Sequence, residues 1–269
     1  MSEEWLREAA RPVRVARVDS SVPNVARVWN VLMGGRDNFD ADRRAAVQLV
    51  AASPALAGVA PASRAFLRRA VSYLAADAGI RQFVDIGTGL PAAGSAHEVA
   101  QAADPSCRVV YVDNDPVVLS HARAQLRSAA EGTTSCLDAD ARDTAAIVAG
   151  AAQTLDLAQP VGLIMIDVLN FIADAAGVVA RLVAAVAAGS YLAVAQPADD
   201  ERLTAAQRRW NRLAPTPVYL REPAEVGAWF SGLELIDPGL VELHQWRPAP
   251  GDPEFPDGLP LLAAVARKP

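Results

Sequence analysis

The sequence predicts a doubly wound α/β fold preceded by a run of helices, and three observations predict it. From residue 83 onward, short apolar runs alternate with segments of helical periodicity. The first run, F-V-D-I-G-T-G-L-P at 83–91, passes from an apolar strand through an acid into a glycine turn. A later one, ending Y-V-D-N-D-P at 111–116, closes on acids again. Such alternation implies right-handed βαβ crossovers and a mostly parallel sheet covered on both faces.

Taken in order, residues 24–33, 41–52 and 63–78 read as helices. In the last, Phe66, Leu67, Ala70, Val71 and Leu74 recur at helical spacing. Gly34-Gly35 and Ser53-Pro54 separate the three. Strands at 83–86, 108–112, 133–137, 161–167 and 191–196 then alternate with helices at 91–102, 116–129, 144–152 and 177–187. Pro91 suits a first helical position, where its fixed φ and missing N–H cost nothing, so a helix N-terminus is expected to point at the turn. Residues 199–213 and 222–230 read as helices, and 233–236, 241–246 and 261–266 as strands closing the sheet. Five prolines make 248–260 a loop. The expected division is a helical extension and lid at 1–78 packed on a ligand-binding domain at 79–269.

Composition narrows the function. Hydrophobic residues make up 52% of the 269 and charged residues 21%, as in globular proteins. A net charge of −6 argues against a nucleic-acid or anionic-membrane surface, so a small-molecule partner is expected. Cys107 and Cys136 suggest reduced thiols rather than a disulfide scaffold. Residues 1–10 hold no apolar signal core, and the apolar stretch 178–195, broken by Arg181 and Gly189-Ser190, reads as a helix and a strand rather than a membrane span. A cytoplasmic location follows as an expectation. His97, His121 and His244 are too dispersed for a metal centre, and none is expected.

The glycine turn also fits the loose dinucleotide pattern, G-x-G-x-x-[G/A], so its surroundings must choose the ligand. Asp85 before Gly87 would repel a pyrophosphate, and no Arg or Lys lies between Phe83 and Arg108 to meet one. An amino-acid head fits better, its ammonium on Asp85 and its carboxylate on N–H groups of the turn. S-adenosylmethionine carries such a head on a ribose and an adenine. Asp113 would accept the ribose hydroxyls, while Asp140-Ala141 would meet the adenine. Three strand ends would then share one ligand at the carboxyl edge of the sheet.

Bland readings stand beside these. Asp115 can simply cap the helix at Pro116, and Asp138, Asp140 and Asp143 can form a solvated loop. His97 reads more readily as a hydrogen-bonded helix residue than as a site group. Asp167 and Asn170 follow the fourth strand, as acceptor-side groups or as turn caps. The arginines at 202, 208, 209 and 212 read as a solvated helix face. Gly34 to Phe39 reads as a lid hinge or as a plain connection capped by Asp37 or Asp40.

From about residue 24 to the C-terminus the chain resembles the bacterial S-adenosyl methyltransferase family of class I fold. The matching stretches are A-R-V at 26–28, G-G-R-D-N-F at 34–39, R-A-F-L-R-R-A at 64–70, residues 79–91, H-E-V-A at 97–100, residues 109–118, G-S-Y-L at 189–192 and V-A-R-K-P at 265–269. The resemblance implies a Rossmann-like sheet of order 3-2-1-4-5-7-6 with strand 7 antiparallel, and S-adenosyl-L-methionine as cofactor. It places Asp85, Gly87, Thr88, Gly89, Asp113, Asn114, Asp140 and Ala141 on that cofactor, and Asp167, Asn170 and Arg36 on the acceptor side. Asn170 and Gln196 stand where the family pattern usually has histidine, and Trp29-Asn30 where it usually has Tyr-Asp. A cofactor-binding sensor without turnover is the alternative function, and a nicotinamide oxidoreductase the more distant one.

Overall fold

The computed structural model describes residues 18–250, 252 and 259–269. The charged start at 1–10 and most of the proline-rich loop at 248–260 lie outside the described residues.

Three helices open the described chain: α1 (Val25–Leu32), α2 (Asp40–Ala52) and α3 (Leu56–Ser72), the last continuing through a wider π turn at Tyr73–Asp77. Asn24 caps α1 by accepting from the N–H groups of Ala26 and Arg27. One fully buried carboxylate, Asp42, accepts from Asn24 N, Phe39 N and Arg27 Nε at 2.8–3.0 Å and ties the starts of α1 and α2 together. The cap residue of α2 is thus Phe39, neither Asp37 nor Asp40. The turn before it is organised by Asn30, whose side-chain oxygen accepts from Asp37 N and Asn38 Nδ2.

The strands are β1 (Gln82–Ile86), β2 (Arg108–Asp113), β3 (Thr133–Asp138), β4 (Gly162–Ile166), β5 (Tyr191–Pro197), β6 (Glu234–Leu235), β7 (Val241–Glu242) and β8 (Leu261–Arg267). They form one sheet of order β3-β2-β1-β4-β5-β8-β6, with β7 also paired to β8. Neighbours from β3 to β5 run parallel, whereas β8 is antiparallel to β5, β6 and β7. With β8 as the seventh strand and β6 as the sixth, this is the expected order. The strand expected at 241–246 stops at Glu242, and Leu243–Gln245 coil into a 3-10 turn. Arg69 of α3 donates to the carbonyls of Leu243 and Trp246 there, and Trp246 is fully buried against Phe66.

Helices α4 (Ala96–Ala103), α5 (Pro116–Gln125), α6 (Thr144–Ala151) and α7 (Ala175–Ala185) cross between the parallel strands. After β5 come α8 (Glu201–Leu213) and α9 (Pro223–Ala228). The helix expected from Pro91 begins only at Ala96. A capping box at Ser95 explains the delay, since Glu98 Oε2 accepts from Gly94 N and Ser95 N, and Gly94 adopts φ +76°. Residues 91–95 are therefore loop, and the expected helix N-terminus is not at the glycine turn. The apolar stretch 178–195 divides into α7 and β5 as read, and among the described residues no single helix is long and apolar enough to cross a membrane.

Alternation along the strands feeds two cores. Phe83, Val109, Ile164 and Ala193 pack under Phe66, Leu67, Ala70, Val71 and Leu74 of α3, while Val84, Ile86, Val112 and Met165 pack against α6 and α7. The apolar face read in α3 thus forms a layer directly on the sheet. Helices α1 and α2 pack instead on α8, through Val28, Ala45, Leu49, Ala206 and Trp210.

Candidate functional site

Strand ends of β1, β2 and β4 and the loop after β3 meet the start of α1 in one cleft of about 1150 Å³, partly open to solvent. Parallel strands place their carboxyl ends on one rim, which is why residues far apart in sequence converge here. Asp85, Gly87, Thr88, Gly89, Asp113, Asn114, Asp140, Ala141 and Asp167 all line the cleft. Asn170 lines an adjoining apolar cavity instead. Arg36 is exposed and lines neither space. The Gly34 to Phe39 turn does not border the cleft either; Asn24, Val25, Ala26 and Trp29 do.

The turn itself is built for close approach. Gly87 has φ +72°, and a Cβ there would meet Val168 Cγ2 at 2.5 Å, so both strain and contact hold the position to glycine. Gly89 has φ +66°, but a Cβ there would meet no protein atom within 4 Å and would project into open space. The N–H groups, however, are already used. Gly87 and Thr88 donate to Val112 O at 2.8 and 3.3 Å, and Gly89 donates to Asp113 Oδ2 at 3.0 Å. The expectation that these N–H groups hold a ligand carboxylate is therefore corrected.

A cation missing from the local sequence arrives from α3. Arg64 lines the cleft and donates to the carbonyls of Leu90, at 3.1 Å, and Thr88, at 3.4 Å. Burial holds its guanidinium below the usual arginine range, with Asp85 the foremost charge acting to restore it. No Arg or Lys lies beside the turn in sequence, but the packing of α3 on the sheet brings one to it, which corrects the expectation that no cation could meet a phosphate there. Arg64 was visible only as the first residue of the R-A-F-L-R-R-A stretch, at the polar edge of an apolar face.

Buried carboxylates dominate the remaining lining. Burial pushes Asp85 up to about 6, against the pull of Arg64 and of Thr88 Oγ1 at 3.2 Å. Asp113 is also raised by burial, although its oxygens accept from Asp115 N and Gly89 N. Asp115 caps α5 through Val117 N, the bland reading of that residue. Asp140 behaves differently, because its bonds with Arg142 hold it down at about 2 and Asn114 Nδ2 adds a further bond at 3.1 Å. His97 is buried with Nδ1 2.8 Å from the Tyr111 hydroxyl, so it is a satisfied helix residue and lies outside the cleft lining.

Asp167 stands apart. It adopts φ +54°, unusual for a residue with a Cβ, and both its carboxylate oxygens are buried without a hydrogen-bond partner. Burial pushes it up to about 7, with Ser63 and Arg64 pulling it back. Neighbouring Asn170 Oδ1 and Gln196 Oε1 are buried and unpartnered as well. A buried acceptor left unsatisfied in the protein marks a place where a ligand can donate.

Comparison with known proteins shows the family and the fold. The family model described as S-adenosyl methyltransferase matches residues 12–269. A solved DUF574-family protein from Streptomyces avermitilis MA-4680 is 39% identical, covers 94% of this chain and 100% of its own, and superposes with a TM-score of 0.89. A candidate methyltransferase from Thermobifida fusca YX is 35% identical, covering 93% of this chain and 96% of its own, with a TM-score of 0.85. The magnesium protoporphyrin IX methyltransferase of Synechocystis PCC 6803, solved with S-adenosylhomocysteine bound, is 14% identical over 90% of this chain and 93% of its own; its TM-score of 0.55 shows the shared fold. A search of curated proteins returns no match. The chain belongs to the S-adenosyl methyltransferase family, with the class I fold and S-adenosyl-L-methionine as its cofactor.

Proposed function

We propose that the protein methylates a small molecule, with Asp167 as the group that takes the acceptor's proton. The observation carrying this reading is Asp167 itself: a buried carboxylate on the cleft wall beside the Ser63 hydroxyl and the Arg64 charge, with no hydrogen bond within 3.5 Å at either oxygen and raised to about 7. A general base works best with a pKa near the operating pH. When bound, S-adenosylmethionine supplies a methyl group on a positively charged sulfur, released to a nucleophile while the bond's electron pair stays on sulfur.

The protein's residues fit that cofactor by charge. Five aspartates line the cleft against two arginines, and one of these, Arg142, is paired with Asp140. That balance favours a ligand with a sulfonium and an ammonium over the anionic pyrophosphate of a nicotinamide cofactor. Asp85 would hold the ammonium, Arg64 the carboxylate, Asp113 the ribose hydroxyls, and Asp140 with the Ala141 backbone the adenine. The net charge of −6 supports a small acceptor rather than a nucleic acid, and the reduced Cys107 and Cys136 suit a cytoplasmic setting.

A methyl-labelled cofactor supplied with fractionated cell extract tests the reading, and label is expected in the low-mass fraction. Asp167→Asn should cut turnover by about 10²–10⁴-fold, with S-adenosylhomocysteine affinity within about threefold of wild type. Tight cofactor binding with no label transferred to any fraction would favour the sensor function instead.

A pH dependence follows from Asp85. Its ionised form is the one that pairs an ammonium, so S-adenosylhomocysteine affinity should be level above about pH 7 and fall nearly tenfold per unit below about 6. Calorimetric titration from pH 5 to 8 measures this, and Asp85→Asn should flatten the profile. Folding runs the other way. Carboxylates raised above their unfolded values oppose folding once they ionise, so the ligand-free protein should lose stability as pH rises from about 4 through 6 and 7.

A further inference from the structure

Beside the cofactor cleft lies a second space that the cofactor reading leaves unused. It has an empty volume of about 610 Å³, partly open, enclosed by α1, α2 and the start of α3 on one side and α8 with the strand-end loops on the other. Val25, Trp29 and Phe171 line both this cavity and the cleft, so these side chains form the wall between the two. Asn170, three residues beyond Asp167 on the same loop, is among its lining residues.

The lining is almost wholly apolar. No charged side chain borders the cavity among the described residues. Two of its polar groups are already engaged: Gln207 Nε2 donates to Val218 O at 3.0 Å, and Trp210 Nε1 donates to Thr216 O at 2.7 Å. Asn170 Oδ1 remains, buried and without a donor. A charged occupant would lose its hydration and find no countercharge, whereas an apolar one loses nothing by entry.

We infer that this cavity receives the methyl acceptor, and that the acceptor is an uncharged, mainly apolar molecule whose one polar end lies on the Asn170 side, next to the cleft that Asp167 lines. The inference rests on the methyl-transfer reading above and adds the acceptor's chemistry to it. Phe171 and Trp210 meet edge to face with ring centres 6.3 Å apart, and with Trp29 they give the cavity aromatic walls suited to a flat ring system.

Three probes separate charge from size: 2-naphthol, 6-hydroxynaphthalene-2-sulfonate as an anion, and 6-hydroxynaphthalene-2-sulfonamide as the neutral counterpart of the sulfonate's size, expected to bind tighter than the sulfonate. Each is titrated calorimetrically into the full chain, with and without saturating S-adenosylhomocysteine, and S-adenosylhomocysteine is titrated on its own. The neutral naphthol is expected to bind at least tenfold tighter than the sulfonate. Ala206→Phe, which fills the cavity from α8, should weaken naphthol at least tenfold while leaving S-adenosylhomocysteine within twofold. Leu32→Trp at the half-buried rim should do the same and serves if the first variant does not fold. Val47→Phe, on the exposed side of α2, should change neither affinity. Absence of naphthol binding up to its solubility limit, equal binding of the sulfonate, or unchanged naphthol affinity in the folded cavity-filling variants overturns the inference. If naphthol behaves as expected while S-adenosylhomocysteine fails to bind, the cavity assignment survives and the cofactor placement falls.

Discussion

Replacing Asp85 with alanine should weaken S-adenosylhomocysteine binding by at least tenfold. Asp85 is 3% exposed at the end of β1, with Thr88 Oγ1 its one side-chain hydrogen-bond partner among the described residues, and it offers a desolvated negative charge to the ligand's ammonium. A hydrogen bond to a charged group contributes about 1.5–3 kcal/mol, which is about tenfold to somewhat over a hundredfold in affinity. The same burial makes Asp85 costly when no ligand is bound. Asp85→Asn should therefore bind poorly and yet unfold no earlier than wild type at neutral pH. Asp113→Ala should lose a similar factor by a different route, because it also removes the acceptor for Gly89 N and Asp115 N and so loosens the turn. Unchanged titration curves for both variants, with the fold intact, would refute the assigned cofactor pose.

Arg221→Ala should give the largest loss of stability. Arg221 is 4% exposed, and its guanidinium donates to the carbonyls of Leu169, Ile172 and Ala173, pairs with Glu225 at 2.8 Å, and lies over the rings of Tyr219 and Trp229. Truncation leaves the Ile172 and Ala173 carbonyls in a buried place without this donor, and leaves Leu169 O with the Ile172 N–H alone. The expected cost is about 3 kcal/mol or more, since each unsatisfied buried group costs about 1–3 kcal/mol. For a chain of this size that lowers the melting temperature by at least about 6 °C. The loop so held carries Asn170 and follows Asp167, so turnover should fall below the melting range while S-adenosylhomocysteine, held by β1 and β2, still binds. Arg221→Lys should recover only part of the loss, because an ammonium cannot span the same carbonyls. A melting temperature within about 1 °C of wild type would contradict this account of the loop.

Much of the fold was legible because its signals are local. Apolar runs ending in Asp85-Ile86-Gly87 and Asp113-Asn114-Asp115 mark strand ends, and in a parallel sheet such ends share a rim, so cleft residues on β1, β2 and the loop after β3 are readable from the sequence. The late start of α4 shows two local signals in competition. Pro91 suits a first helical position, but S-A-H-E at 95–98 has the capping-box pattern, and the bonds of Glu98 Oε2 with Gly94 N and Ser95 N and of Ser95 Oγ with Ala92 O prevail.

What stayed hidden is long-range. Arg64 reaches the glycine turn only because α3 lies on the sheet, and the N–H groups of the turn are spent on Val112 O and Asp113 only once β1 and β2 are paired. The apolar cavity draws its walls from α1, α2, α3, α8 and the loop after β4, none of which names it alone. Phe171 carries no signal of its own in sequence, and Trp29 only a departure from the family's usual Tyr on the acceptor side; their position between two spaces is a property of the tertiary packing.

The most direct measurement is a crystal structure of the protein grown with saturating S-adenosylhomocysteine. Density is expected along the rim formed by β1, β2 and the loop after β3, with the amino group on Asp85, the ribose hydroxyls on Asp113 and the thioether sulfur facing Asp167. Density for the nucleoside elsewhere on the molecule, or an empty rim at saturation, would contradict the account.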